Sequence, residues 1–127
     1  MATQEQLGTK RLVVGAHYGT RDFIVQRVTA VIMAVYTLVL FFGFIFTSEM
    51  NFENWRRLFT FDWFGVPVGQ MLATLAFLSL AWHAWIGMRD IWMDYARSAG
   101  LRLLLHVLTV LWLVGSIVLF AQILWSL

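Results

Sequence analysis

The stretch Val28-Thr-Ala-Val-Ile-Met-Ala-Val-Tyr-Thr-Leu-Val-Leu-Phe-Phe-Gly-Phe-Ile-Phe46 runs for 19 residues without a charge. As an α-helix rising about 1.5 Å per residue it covers about 28 Å, close to the roughly 30 Å hydrocarbon core of a bilayer. Backbone in hydrocarbon must satisfy its own hydrogen bonds, so this run predicts a membrane-spanning helix. The helix is expected to begin near Phe23 and to take in Arg27. Two later stretches read the same way. The sequence therefore predicts an all-α integral membrane protein with three transmembrane helices over about 23–47, 66–92 and 102–126, preceded by a polar tail over 1–22. Residues 23–127 form one three-helix membrane domain, because no Pro-, Gly- or Ser-rich linker divides them and no internal repeat is visible.

Composition agrees with that reading. The 127 residues are 61% hydrophobic and 13% charged, whereas soluble domains are about half apolar and a quarter charged. Nine basic residues scattered between apolar spans form no basic face, which argues against nucleic acid as a partner. Their placement encodes topology instead. Lys10, Arg11, Arg21, Arg27, Arg89, Arg97 and Arg102 flank one side of the spans, and only Arg56 and Arg57 flank the other. By the positive-inside rule the N-terminus is cytoplasmic and the C-terminus periplasmic. With no cysteine the chain can neither ligate an iron–sulfur cluster nor form a disulfide, so any such centre belongs to a partner. The first 22 residues are too polar for a secretory signal, and the first apolar run is expected to stay in the mature chain. Between the first two spans, residues 47–65 interleave charges with Phe52, Trp55, Phe59 and Trp63, a mixture suited to the headgroup level. Pro67 suits the first turn of the second helix. The Gly65-Val-Pro-Val-Gly69 spacing matches GxxxG, a dimerisation pattern weakened here by its proline and its interfacial position.

The unusual feature is His83, an ionisable ring inside the second span and six residues, about 9 Å along the axis, before Arg89. Ala76, Ser79 and Gly87 share its helical face, so another body can approach closely. That body is either a helix, with His83 hydrogen-bonded across the interface, or a flat cofactor, with the neutral imidazole as an axial ligand to haem iron. Haem carries two carboxylates, and Arg27 offers a cation in the same leaflet, with Arg21 two turns further out; taken alone, Arg27 is better explained by ordinary snorkelling to the interface. His106 lies at a similar depth, either as a second ligand or as an interfacial ring meeting water and headgroups. His17, in the tail, carries no specific signal. Asp94 and Tyr95 follow His83 at the exit of the second helix. A tyrosine hydroxyl there can donate to a quinone carbonyl and a nearby carboxylate can orient it or deliver a proton, although interfacial tyrosine is common in membrane proteins. The sequence shows no phosphate-binding glycine loop, nucleophilic triad or mid-membrane carboxylate of the kind a proton-coupled carrier needs.

Arg21-Asp-Phe-Ile-Val-Gln-Arg27-Val-Thr-Ala30, the block His83-Ala-Trp-Ile-Gly-Met88, Asp94-Tyr95 and Leu101-Arg102-Leu103, set on three spans, resemble the hydrophobic membrane anchor of bacterial succinate dehydrogenase. The resemblance covers about residues 20–127, and the block from His83 to Met88 is its most specific part. It implies a non-catalytic anchor of respiratory complex II (succinate:ubiquinone oxidoreductase) in the bacterial inner membrane, serving electron transport and the tricarboxylic acid cycle. The implied partners are a second membrane anchor of the cytochrome b type, an iron–sulfur subunit and a flavoprotein that holds FAD. Haem b would be shared with the second anchor, and ubiquinone would be the substrate. Carried over by position, His83 is the haem axial ligand and metal-binding residue, Tyr95 and Asp94 bind quinone, and Arg27 and Arg21 neighbour the haem propionates or the quinone. Relatives can carry histidine at the position of Arg21 and need not carry it at His106. The alternative is a structural or assembly protein of the membrane in which His83 and Tyr95 merely pack.

Overall fold

The structure, a computed structural model, describes residues 16–127. Four helices follow in order: α1 (Ala16–Phe46), α2 (Phe52–Thr60), α3 (Val68–Tyr95) and α4 (Ala99–Ser126). Three of them, α1, α3 and α4, are long and apolar enough to cross a membrane. The all-α, three-span architecture thus stands as expected. The first helix starts earlier than Phe23, because the polar residues from Ala16 to Asp22 continue its backbone. Residues 1–15 and the side chain of His17 lie outside the described residues.

Local chemistry sets the ends of these helices. Thr47 bonds back to the Gly43 carbonyl at 2.7 Å where α1 ends. Asn51 caps α2 by accepting from the Asn54 N–H at 2.8 Å, and Ser98 caps α4 by accepting from Leu101 N–H at 3.1 Å. Pro67 sits one position before α3, at its N-cap, where its missing N–H leaves no helical bond unmade. The short helix α2, within the segment expected at the headgroup level, carries Glu53 in its first turn, which favours the N-terminal dipole. A hydrogen bond from Arg56, joined by a second from Arg57, holds the Glu53 carboxyl below the usual carboxylate range.

The central helix is α3. It packs against α1, α4 and α2, and in its most apolar window 28% of residues are buried, against 6% in α1 and in α4. The residues it buries are mostly small: Gly69, Ala73, Ala76, Ser79, Ala81 and Ile86. Small side chains let helix backbones approach in a bilayer, where hydrophobicity does not drive association. Phe77 of α3 and Phe120 of α4 stack with centroids 4.0 Å apart and planes 3° from parallel. Most large apolar side chains of α1 and α4 point outward, as expected of surfaces that meet lipid or other apolar chains.

Between α2 and α3 the chain reverses through Trp63-Phe64-Gly65-Val66, where Trp63 and Val66 exchange both backbone hydrogen bonds at 2.9 and 3.0 Å. Phe64 (φ 53) and Gly65 (φ 78) both take positive φ, the requirement of a tight two-residue reversal. Gly69 then donates to the Phe61 carbonyl at 2.9 Å. A Cβ at Gly69 would stand 2.7 Å from Phe61 N and 2.8 Å from Phe59 O, so this glycine accommodates the chain's own α2–α3 connection. The second glycine of the GxxxG spacing is therefore used inside the chain.

Candidate functional site

At the end of the membrane domain where α1 begins and α3 finishes, the two helices enclose a groove of about 550 Å³. His83 and Ile86 of α3 line it together with Asp22, Phe23, Gln26 and Arg27 of α1, and no residue of α2 or α4 contributes. His83 is partly buried and its Nδ1 lies 3.1 Å from the Thr29 hydroxyl. Thr29, only 7% exposed in an apolar helix, also donates to the Val25 carbonyl at 2.7 Å, the usual back-bond of a helical threonine.

Charges gather at the mouth of the groove. Asp22 of α1 pairs with Arg89 of α3, and Asp90 stands 3.6 Å from the same guanidinium. Arg27 is exposed and rests over the Phe23 ring, its Cζ 4.8 Å from the centroid. It makes no ion pair among the described residues, so its charge is available to an anionic group in the groove. Arg21 is exposed and does not line the groove. Gln26 adds a second polar opening: its Oε1 is buried with no hydrogen-bond partner among the described residues. An unpartnered amide in a half-enclosed groove calls for a further donor from outside the chain.

These features decide between helix and cofactor only in part. Ala76 and Ser79, on the face of His83, are buried, and a Cβ at Gly87 would meet Gln26 Nε2 at 3.9 Å. So α1 already uses part of the small-residue stripe, while His83 still reaches the groove beside it. His106 is not brought to that groove. Its ring meets the edge of Trp85 at 5.8 Å between centroids. Among the described residues no three His, Asp or Glu side chains cluster as a metal site.

A family described as succinate dehydrogenase/fumarate reductase transmembrane subunit matches residues 1–122. The chain belongs to that family. It is also 32% identical, over 107 residues covering 84% of this chain and 89% of the relative, to the succinate dehydrogenase hydrophobic membrane anchor subunit of Coxiella burnetii (strain RSA 493 / Nine Mile phase I). In this transmembrane subunit the expected quinone pair stands apart from the groove. Tyr95 is the last residue of α3 and 79% exposed, with Asp94 exposed beside it. At about 100° per residue Asp94 returns to within about 20° of the face of His83, whereas Tyr95 lies about 120° away. The pair is thus presented to whatever packs on this end of the protein.

Three contributors were not singled out from sequence: Thr29, Gln26 and the Asp22–Arg89 pair. The signal for Thr29 was a hydroxyl in an apolar run two positions after Arg27, but nothing in the sequence aligned it with His83. For the ion pair, both partners are about 30% exposed, and the pair joins α1 to α3. In a double-mutant cycle with Asp22→Asn and Arg89→Gln, thermal inactivation of the assembled complex should give a coupling of about 1 kcal/mol, since exposed pairs yield up to about that much. Strictly additive effects would show that the pair does not join α1 to α3.

Proposed function

We propose that this protein anchors a succinate:ubiquinone oxidoreductase in the bacterial inner membrane, supplies one axial ligand to haem b and contributes to the ubiquinone-reduction site. The observation that carries the proposal is His83 itself, a partly buried imidazole inside an apolar helix, lining a groove that only two helices of this chain enclose. The residues fit a haem: one neutral imidazole for iron and a cation at Arg27 for a propionate, both lining the groove. Haem b, when bound, supplies one-electron transfer. A second ligand to the haem would come from the other membrane anchor, as the resemblance implies, while His106 of this chain lies against Trp85.

The other residues of the chain act by binding and by holding protons. Arg27, free to leave the Phe23 ring, balances propionate charge, and Arg21 adds positive potential one to two turns further out. Tyr95 donates its hydroxyl hydrogen to a quinone carbonyl, which becomes a stronger acceptor as the ring is reduced. Asp94, next to it, orients that hydroxyl or relays a proton. Flavin and iron–sulfur chemistry belong to the partner subunits, as does the closing wall of the groove.

The complex purified with its partners should show the absorbance of a low-spin b-type haem. Tyr95→Phe removes only a hydroxyl, so quinone reduction should fall about tenfold, the equivalent of one hydrogen bond of about 1.4 kcal/mol at the reacting oxygen. Succinate oxidation by a water-soluble artificial acceptor should continue unchanged. Full quinone reductase activity in that variant would favour the purely structural reading of the chain.

A further inference from the structure

Three threonines of this protein make the same arrangement. Thr29, Thr74 and Thr109 each donate the single hydroxyl hydrogen to the carbonyl four residues earlier, at 2.7, 2.7 and 2.8 Å. Each hydroxyl oxygen then meets a ring nitrogen from another helix: His83 Nδ1 at 3.1 Å, Trp125 Nε1 at 3.3 Å and Trp92 Nε1 at 2.9 Å. Indole N–H can only donate, so in two of the three cases the threonine oxygen is necessarily the acceptor.

The same logic fixes the third. A separation of 2.7 Å between Thr29 Oγ1 and the Val25 carbonyl is the normal length of an O–H···O bond, and two oxygens lacking a proton between them would repel at that distance. The Thr29 proton therefore points along its own helix, with the Gln26 carbonyl at 3.2 Å as its only other acceptor on α1. Only the lone pairs of Oγ1 remain for His83. The ring must then carry its proton on Nδ1, which leaves the Nε2 lone pair uncommitted.

We infer that Thr29 is a positioning residue that holds His83 in the Nδ1–H tautomer and fixes its ring plane, so that Nε2 is presented as a metal ligand before any cofactor binds. The inference rests on haem ligation by His83. A metal-bound histidine commonly donates its other N–H to a carbonyl or carboxylate, which sets the tautomer and raises ligand basicity. Here a helical threonine takes that part, made a better acceptor because its own proton is already engaged. The bond also ties α1 to α3 beside the groove, so helix packing and ligand orientation depend on the same atom.

The test uses the assembled four-subunit complex carrying Thr29→Val, which keeps shape and loses the hydroxyl, and Thr29→Ser, which restores it. Thr29→Val should release haem to an apo-globin acceptor about tenfold faster than the unsubstituted complex, the lower end of the usual effect of losing such a partner. Its haem reduction potential should move upward, because an imidazole with a weaker N–H bond donates less charge to ferric iron, and the low-spin resonance of the oxidised haem should shift. Thr29→Ser should recover all three. Thr29→Ala serves where the valine variant does not assemble. Wild-type release rate, potential and resonance in a hydroxyl-less variant would overturn the role of Thr29 while leaving His83 ligation intact. Retention of an unaltered haem in a parallel His83→Ala complex would instead overturn ligation itself, and the role of Thr29 with it.

Discussion

His83→Ala in the assembled complex is expected to abolish the b-type haem absorbance or reduce it to a small, spectrally shifted remainder. The side chain supplies a neutral ring nitrogen that no other described residue of the groove can replace: its other polar groups are Asp22, Gln26, Arg27 and Asp90, and His106 is engaged with Trp85. Removing an iron ligand costs more than removing the group behind it, so haem content at limiting haem should fall by well over the about tenfold expected for loss of an outer partner. Two controls separate ligation from packing. Imidazole added to the alanine variant should restore the low-spin spectrum, because the cavity left behind has the size of the ring. His83→Phe fills that cavity without a ligand and should not respond to imidazole. An alanine variant with the wild-type spectrum would leave His83 as a packing residue hydrogen-bonded to Thr29. Electron passage from succinate to an acceptor upstream of the membrane should survive in every variant, since that chemistry is assigned to partner subunits.

The second large effect is expected at Gly69, far from the groove. Gly69→Ala places a methyl 2.7 Å from Phe61 N and 2.8 Å from Phe59 O, and both obstacles are backbone, which cannot turn aside as a side chain does. Relief requires the end of α2 to move away from α3, which breaks the Gly69 N–H bond to the Phe61 carbonyl at 2.9 Å. Overpacking of this kind costs about 1–3 kcal/mol, and the lost bond adds about 1 kcal/mol. The complex should inactivate at lower temperature and become more sensitive to proteolysis between α2 and α3. Gly43→Ala is the graded comparison: its Cβ would meet only the flexible Leu58 Cδ2 at 3.0 Å, so a smaller effect is expected. Gly115→Ala meets nothing within 4 Å and should be neutral or slightly stabilising through helix propensity. Equal stability of all three variants would show that α2 is not held against α3 as described.

Much of this architecture was legible in the amino-acid order. Long uncharged runs can satisfy their backbone in lipid only as helices, so three spans and their approximate ends followed from Val28–Phe46 and its two counterparts. A histidine in such a run stands out through its cost, and the block from His83 to Met88 carried the family resemblance that the family match over residues 1–122 bears out. Ends were less legible. Residues 16–22 look like tail because they are polar, yet a helix that leaves the bilayer needs no apolar face to continue.

What the sequence determined by itself was membership and layout: apolar length, charge placement and one specific motif are properties of consecutive residues. Only the tertiary structure decided which residues serve His83. Thr29 lies 54 positions away and meets the ring because small residues of α3 let α1 come close; the Asp22–Arg89 pair spans 67 positions for the same reason. It also withdrew His106 from the groove and set Gly69 against the backbone of α2. Such pairings depend on the rotation of one helix against another. Periodicity constrains that rotation weakly in a membrane protein, where lipid-facing and buried faces are both apolar.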